Sequence, residues 1–380
     1  MLKIDKLLSL LKIVFKMTVQ DVINILNDYA PLHYAEDFDN TGLLVGDANS
    51  KISGVLVSLD TLEAVVDEAI ENGCNLIVSF HPIIFSGLKK LTGKTYVERT
   101  VQKAIKNDIS IVAIHTALDN SWNGVNAKMC EVLGLENRNI LLPKTQTIQK
   151  LTTFVPATEA EVVRDSLFKA GAGNIGNYSH CSFTIEGNGS FKGEEGSSPN
   201  VGQKGELHFE AETQIGITFP KHLQSRVLKT LFKAHPYEEV AYEITTLENS
   251  HQQLGMGMLG EFTEAISEKE FLTVLKRTFK TGCVRHSALR NKTIKKVAVL
   301  GGSGSFAISA AKAQGADAFV SADFKYHDFF QAENQILLCD VGHYESEQYT
   351  KDLLVDVLTK KITNFAVVLS QTNTNPISYF

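Results

Sequence analysis

The sequence has few cysteines, and their spacing fits neither a disulfide framework nor a thiolate metal site. There are five of them in 380 residues, an odd number, and no two form a C-x-x-C pair. Such isolated cysteines are typical of small buried side chains in a reducing compartment. We therefore predict a cytoplasmic protein whose metal chemistry, if any, does not depend on thiolates.

The sequence also lacks a membrane-spanning run and a large excess of charge of either sign. Residues 1–16 hold an apolar stretch that is interrupted by Lys12 and is too short to span a bilayer. We expect this segment to be either a leader or a misassigned start, with Met17 as the natural first residue. The net charge of −6 gives no general footprint for nucleic acid or an anionic membrane. The length predicts two or three domains.

From residue 17 onward, helical patterns alternate with short apolar strands in both the first and the last third of the chain. This alternation predicts βαβ units and mainly parallel sheets. Residues 55–81 and 297–323 align without a gap, and each segment has the order strand, helix, glycine, strand. We therefore predict an α/β fold with two similar lobes, residues 17–149 and 253–380.

The middle of the chain, residues 150–252, has a different pattern. It predicts the element order β-α-β-β-α-β, which is the ferredoxin-like arrangement. Within it, residues 187–205 are rich in glycine and serine and are predicted to form a mobile loop. We expect residues 150–252 to be a small α+β domain inserted between the two lobes.

Histidine and carboxylate side chains concentrate where the predicted parallel strands end, which is where ligands bind in open α/β sheets. These positions carry His81, His115, Asp119, Asp323, Lys325, His327, His343 and Glu347. Both lobes have the pattern H-x-x-x-(D/E) after a strand. Imidazole and carboxylate without thiolate suit Zn²⁺, Mn²⁺, Fe²⁺ or Co²⁺, and a bridging carboxylate permits a two-metal hydrolytic centre. We therefore predict a divalent-metal site.

A competing motif follows the predicted strand that ends near Leu300. Gly302-Ser-Gly304-Ser-Phe-Ala307 fits the G-x-G-x-x-A pattern of dinucleotide-binding folds, and Asp323 follows about twenty residues later. The repeat pairs Asp323 with His81, which favours a pocket role over a ribose contact. A tight strand-to-helix turn also accounts for the glycines, and phosphate binding at the helix start stays open.

Six stretches taken together resemble the GTP cyclohydrolase 1 type 2 homologue family. They are residues 37–43, 80–85, 115–119, 301–304, 322–327 and 342–347, and the resemblance extends from residue 17 to the C-terminus. The middle segment, with its sequence His235-Pro-Tyr-Glu-Glu239, resembles the PII/CutA-like domain that some members carry. The resemblance implies two α/β lobes around a dinuclear divalent-metal centre and assembly as a homohexamer.

Carried over by position, the resemblance implies that the metal ligands are His81, Asp119, His343 and Glu347. The family often has two consecutive histidines before the proline, and Phe80 stands where the first would be. Either His115 or water would then complete the ligands of the second cation, or that cation would bind weakly.

The remaining site residues are assigned as pocket residues with catalytic roles: His327 or His115 for proton transfer, Lys325 for an anionic substrate group, and Asp323 beside the metals. The resemblance implies a metal-dependent hydrolase that acts on a nucleotide-like or cyclic amide substrate. The alternative is a metal-bound regulatory or scaffold protein whose insert senses a ligand.

Overall fold

The computed structural model describes residues 17–363 and 365–380, so the predicted leader or misassigned start lies outside the described residues. The chain divides into two compact units. One contains the chain up to Leu142 and from Gln253 onward, and the other is Pro143–Gln252. In the described ranges, no helix combines the length and the hydrophobicity that crossing a bilayer requires.

The helices and strands follow one another along the chain in this order. They are α1 (Val19–Tyr29), β1 (Gly42–Val45), β2 (Gly54–Ser58), α2 (Glu63–Glu71), β3 (Leu76–Ser79), α3 (Tyr96–Lys106), β4 (Ser110–Ala113), α4 (His115–Asp119), α5 (Val125–Leu133), β5 (Glu136–Pro143), β6 (Ile148–Pro156), α6 (Ala160–Lys169), β7 (Ser182–Lys192), β8 (Leu207–Pro220), α7 (Gln224–Ala234), β9 (Tyr242–Thr246), β10 (Gly255–Ser267), α8 (Glu268–Thr278), β11 (Arg285–His286), β12 (Thr293–Ser303), α9 (Ile308–Ala313), β13 (Ala318–Ala322), β14 (Leu337–Asp340), α10 (His343–Glu347), α11 (Thr350–Lys361) and β15 (Ala366–Leu369). Short 3₁₀ turns lie at Leu32–Tyr34, Lys221–Leu223, Ser305–Ala307 and Tyr326–Ala332.

The first unit contains two mixed sheets with the same central arrangement. Their strand orders are β1-β4-β3-β2-β15 and β11-β14-β13-β12-β10-β5. In both, three consecutive strands are parallel, and Val55 pairs with Leu76 as Val297 pairs with Ala318. The two segments that align in the sequence therefore occupy equivalent positions in their sheets.

Every residue of β2, β3, β4, β13 and β14 is buried. Strands buried on both faces read as continuous apolar runs, because neither face is left to water. This explains why the parallel strands can be recognised in the sequence as short apolar runs.

The two sheets do not divide the chain at the boundaries predicted for the lobes. Strand β15, near the C-terminus, pairs in parallel with β2 and extends the first sheet. Leu354 and Leu358 of α11 are buried in the same core as Val19 and Val22 of α1. Conversely, β5 belongs to the second sheet. Local periodicity identifies a strand but not the sheet that it joins, so this exchange of elements is decided by tertiary packing.

The second unit is a single antiparallel sheet with two helices. Its elements run β6-α6-β7-β8-α7-β9, and the strands lie in the order β7-β8-β6-β9. Side chains of both helices pack on one face of the sheet, where Val155, Leu167, Ile215 and Leu231 are buried together. This unit therefore has a hydrophobic core of its own.

The prediction of a mobile loop over residues 187–205 is wrong for its first six residues. They continue β7, which pairs with β8 from Ser182↔Ile217 to Lys192↔Leu207. Backbone hydrogen bonds hold a ladder without side chains, so Gly187 and Gly189 do not end the strand. At Gly189 the missing side chain also makes room, because an added Cβ would lie 2.2 Å from Glu212 Oε2.

The insert leaves and re-enters the first unit at neighbouring positions. Strand β5, which precedes the insert, lies next to β10, which follows it. Gly257 of β10 is so close to Leu141 of β5 that a Cβ added to the glycine would lie 3.2 Å from Cβ of Leu141. We predict that replacing the residues between Leu142 and Gln253 with a short Gly/Ser linker leaves the first unit folded and able to bind a divalent cation. Circular dichroism melting and isothermal titration calorimetry test this. A deletion variant that melts cooperatively but no longer binds the cation would contradict it.

Candidate metal centre

Two histidines and a glutamate from different parts of the chain meet in the first unit. His81 follows β3, whereas His343 and Glu347 are the first and last residues of α10, which follows β14. The i, i+4 spacing puts His343 and Glu347 on one side of the helix. Nε2 of His81 and Nε2 of His343 lie 3.1 and 3.3 Å from Oε2 of Glu347. We call these three residues the three-donor group.

The three-donor group has the features of a cation site. One nitrogen from each histidine and one oxygen of Glu347 lie within 4.8 Å of one another. Oε2 of Glu347 is buried and has no hydrogen-bond partner, although both imidazoles are at ion-pair distance. Buried polar atoms are rarely left unsatisfied. Donors that converge without bonding one another fit a divalent cation with imidazole and carboxylate ligands.

A carboxylate holds the far nitrogen of each histidine in the group. Nδ1 of His81 lies 2.8 Å from Oδ1 of Asp60, and Nδ1 of His343 lies 2.7 Å from Oδ2 of Asp323. A carboxylate at Nδ1 keeps the proton there, so that the Nε2 lone pair is directed at the cation. Asp60 and Asp323 would thus orient the two imidazoles toward a bound cation.

The C-terminal segment supports Asp60. The hydroxyl of Thr374 donates to Oδ2 of Asp60 at 2.5 Å. The segment before it is fixed by Glu68, whose carboxylate accepts hydrogen bonds from the hydroxyls of Ser370 and Thr372, each at 2.6 Å. The orientation of His81 therefore depends on residues close to the end of the chain.

His115 lies beside the three-donor group with a carboxylate partner of its own. Its ring centroid is 5.3 Å from that of His81, and its Nδ1 is 2.8 Å from Oδ1 of Asp39. Burial would raise the pKa of Asp39, but the hydrogen bonds from His115 and Thr116 hold it below its ordinary value. Asp39 therefore stays ionised and fixes the imidazole.

Asp119, the fourth predicted ligand, lies outside the three-donor group. Its Oδ1 is buried without a hydrogen-bond partner. Burial and the negative charge of Glu347 raise the pKa of Asp119 well above its ordinary value. The structure thus brings three of the four predicted ligands within bonding range of one ion and leaves Asp119 as an unsatisfied carboxyl that interacts electrostatically with Glu347.

Protons balance the charge of Glu347 when no cation is bound. Burial alone would lower the pKa of His81 and of His343, but Glu347 and the carboxylates at Nδ1 raise them to about 10 and about 11. Burial would raise the pKa of Glu347, but the positive charges of His81 and His343 hold it below its ordinary value. A cation displaces these protons, so its binding strengthens as pH rises.

Gly302 leaves space for the three-donor group. Its φ is +69°, and a Cβ there would lie 2.5 Å from Oε1 of Glu347 and 3.2 Å from Cε1 of His343. Its N–H donates to Oγ of Ser346 at 2.9 Å. The first glycine of the G-x-G-x-x-A motif is therefore accounted for by close packing against Glu347 and His343, without a dinucleotide.

The structure places the predicted pocket residues after β13 in two different environments. Asp323 contacts the group through His343, but Lys325 and His327 are exposed in and beside the 3₁₀ turn that follows. The ring of His327 lies 5.2 Å from that of Tyr326 and 6.0 Å from that of Phe330.

Sequence reasoning assigned no role to Asp60 and Asp39. Asp60 stands two residues after β2. It is therefore a polar residue at the carboxyl end of a parallel strand, and the criterion that selected the other site residues also applies to it. Asp39 lies within residues 37–43, the first of the six stretches that carry the family resemblance, but its partner His115 is distant in sequence.

Two α/β sheets with an imidazole–carboxylate group at the carboxyl ends of their parallel strands define a candidate divalent-cation-binding protein. The model of the Duf34/NIF3 (NGG1p interacting factor 3) family matches residues 17–376. The chain belongs to this family, which confirms the resemblance seen in the sequence.

Curated relatives match over almost their full length. The chain is 37% identical over 370 residues to the GTP cyclohydrolase 1 type 2 homolog of Bacillus subtilis (strain 168), covering 95% of this chain and 98% of the relative. It is 38% identical over 365 residues to the homolog of Halalkalibacterium halodurans, with the same coverage. A solved Bacillus cereus protein related to NIF3 superposes with a TM-score of 0.82 at 37% identity, covering 96% of this chain and 100% of that one.

We predict that Asp60→Asn weakens divalent-cation binding by about 10- to 100-fold, the usual cost of losing a hydrogen-bond partner of a metal ligand. The variant keeps the size of the side chain but removes the charge that holds the proton on Nδ1 of His81. Calorimetric titration with Zn²⁺ and Mn²⁺ measures the change. Asp47→Asn, at an exposed turn, is the matched control. Equal affinities for the two variants would refute the orienting role of Asp60.

Proposed function

We propose that the protein is a dinuclear divalent-metal-binding protein that acts as a metal-dependent hydrolase on a nucleotide-like or cyclic amide substrate. The observation that carries the proposal is the convergence of two carboxylate-anchored imidazoles on the buried Oε2 of Glu347. A structural ion would not need a third anchored imidazole beside it, and His115 with Asp39 supplies one. The family shown by the comparisons supports the metal site, and the reaction is our inference.

The chain's own residues supply ligands, orientation and proton transfer. When bound, a divalent cation polarises a carbonyl group or a water molecule. His81, His343 and Glu347 would hold the first cation, and the unsatisfied oxygen of Asp119 would be available to the second. Because Asp39 holds Nδ1 of His115, Nε2 is the nitrogen that exchanges a proton with the substrate.

Two exposed residues keep the roles proposed for them from the sequence. His327, the leading candidate for proton transfer from the sequence, ranks after His115 here because it lies on an exposed turn, and Lys325 would hold an anionic substrate group. Their position after Asp323 on an exposed turn suits contact with a part of the substrate distant from the reacting bond. Substitution of His115 and His327 in parallel distinguishes the two candidates.

Phe80 distinguishes the proposed second cation site from the first. Its side chain is fully buried in the core that contains Val57, Val78 and Ile114. Its ring lies 5.5 Å from that of His115. A hydrocarbon therefore stands where the resemblance places an imidazole, and we propose that the second cation binds more weakly than the first.

The alternative function is a metal-bound regulatory or scaffold protein. Its support is the division of the chain, since residues 143–252 form a compact unit with a separate core. We propose that this unit is PII/CutA-like and senses a ligand, as the β-α-β-β-α-β order suggests. In that case the metal centre would hold the fold or a partner, and no substrate would be turned over.

We also propose assembly as a homohexamer in the cytoplasm. The resemblance supports the hexamer, and light scattering after size-exclusion chromatography tests it. The five cysteines are free thiols, and Cys74, Cys130 and Cys339 are buried. Unpaired thiols at these positions are consistent with a reducing compartment.

We predict that Glu347→Gln loses bound metal, with affinity reduced by about 100-fold or more, because both imidazoles converge on this oxygen. Elemental analysis of protein purified without chelator should give one to two cations per chain, and fewer than one for the variant. Glu131→Gln, at an exposed surface ion pair with Lys128, is the control. Metal content that is equal in both variants would remove Glu347 from the site.

The hydrolase proposal is tested by turnover with GTP, other nucleotides and cyclic amides, using protein loaded with Zn²⁺, Mn²⁺, Fe²⁺ or Co²⁺. Asp119→Ala is the inactive reference. Loss of the proton-transfer residue, His115→Ala or His327→Ala, should lower kcat by about 10²- to 10⁴-fold while metal is retained. If no substrate is turned over with any metal, the regulatory or scaffold function is the better conclusion.

We predict that Phe80→His tightens the second, weaker cation and leaves the first unchanged, because it adds an imidazole beside His115. Calorimetry resolves the two binding events, and elemental analysis gives their number. Phe80→Leu separates this gain from a general change in core packing. A second event that is no tighter in Phe80→His than in Phe80→Leu would contradict the proposed ligand role of this position.

A further inference from the structure

A cavity of about 720 Å³ lies within the insert, away from the face that its helices cover. Successive side chains along a strand point to opposite faces of the sheet, so the sheet has a second face that the helices do not cover. Val155 and Ile215 point into the core under the helices, so Phe154 and Gln214 point the other way. Phe154 and Ile185 are both paired with Gln214, and cross-strand partners share a face. The volume is within the range of small-molecule sites, about 300–1,000 Å³.

The walls of this cavity combine hydrocarbon with uncompensated negative charge. Its lining includes the rings of Phe154, Phe191 and Tyr237, together with five glutamates and one lysine, Lys192. The carboxylate of Glu186 turns to Thr213 on the other face of the sheet, which leaves the four carboxylates of Glu194, Glu212, Glu238 and Glu239 at the cavity. Phe191 and Tyr237 lie with centroids 5.9 Å apart at an angle of 61°. Aromatic faces attract cations, and more strongly where water is excluded.

Glu212 is the best-placed of these carboxylates. It is opposite Gly187 in the β7–β8 ladder, and its Oε1 accepts a hydrogen bond of 2.9 Å from the hydroxyl of Tyr237. Its Oε2 rests against Gly189, where an added Cβ would come within 2.2 Å. The absence of a side chain at Gly189 thus forms a cradle that lets the carboxylate reach across the strand.

The electrostatics of Tyr237 agree with a negative potential inside the cavity. Burial, the hydrogen bond to Glu212 and the charges of Glu212 and Glu210 all raise the pKa of the Tyr237 hydroxyl. The negative potential at this position disfavours the anionic form of a group and favours a group that carries a positive charge.

We propose that this cavity binds an organic cation, a ligand with an ammonium or guanidinium group on an apolar body. The charge is recognised by Glu212 and by the aromatic rings, and the apolar body by Phe154 and Ile185. A bare metal ion is disfavoured, because most of the wall is carbon and the volume far exceeds that of an ion. This site is separate from the three-donor group, so it does not depend on the proposed hydrolase activity.

Calorimetric titration of the full chain with phenethylamine, agmatine and spermidine tests the proposal, with phenylacetate as the anionic match of phenethylamine. At least one amine should bind, and Glu212→Gln should weaken it by about 10- to 100-fold, as loss of a hydrogen bond to a charged group does. Gly189→Ala should also weaken it, because the methyl group displaces the carboxylate while its charge is kept. Glu161→Gln, an exposed position on α6, should have no effect.

Binding must also persist in Glu347→Gln, since amines can coordinate a metal at the other site. Absence of amine binding, equal affinity in wild type and Glu212→Gln, or loss of binding in Glu347→Gln alone would each overturn the proposal. A different result would show that a second copy of the chain fills the cavity. In that case no amine would bind, and light scattering would give a larger mass for the wild type than for Glu212→Gln.

Discussion

The candidate metal centre depends on one electrostatic requirement, the compensation of a buried carboxylate. Glu347 is 3% exposed, and a charge removed from water is costly unless an opposite charge lies close to it. Two imidazoles satisfy this requirement at 3.1 and 3.3 Å. They do so as imidazolium ions without metal and as neutral ligands beside a cation, and Asp60 and Asp323 stabilise the Nδ1 proton in both states.

This requirement also links the centre to the construction of the fold. His81 follows a strand of the first sheet, whereas His343 and Glu347 follow a strand of the second. The two sheets are held together by exchanged elements, since β15 completes the first sheet and β5 the second. The residues after β15 then fix Asp60 through Thr374. Thr374, close to the end of the chain, thereby influences the orientation of His81, which lies in its first quarter.

The two candidate sites differ in chemistry in a way that follows from their side chains. At the centre, nitrogen and oxygen atoms converge to within 4.8 Å, which suits a small ion that bonds to all of them. In the insert, carboxylates are spread over a cavity whose walls are largely aromatic and aliphatic. That arrangement solvates a charge at one end of a larger molecule and buries the rest of it.

Much of this architecture was determined by the sequence alone. The parallel strands are mostly apolar because both of their faces are buried. The six motifs identified the family, and the histidines and carboxylates predicted at the strand ends included the three donors. The tertiary structure decided which sheet β15 and β5 join, since edge pairing depends on what lies beside a strand in space. It placed Asp60 and Asp39 against histidines 21 and 76 positions away, left His327 on an exposed turn, and extended β7 through glycines whose pairing no local pattern shows. Distances between residues remote in sequence come only from packing, and the orientations of His81 and His343 depend on such distances.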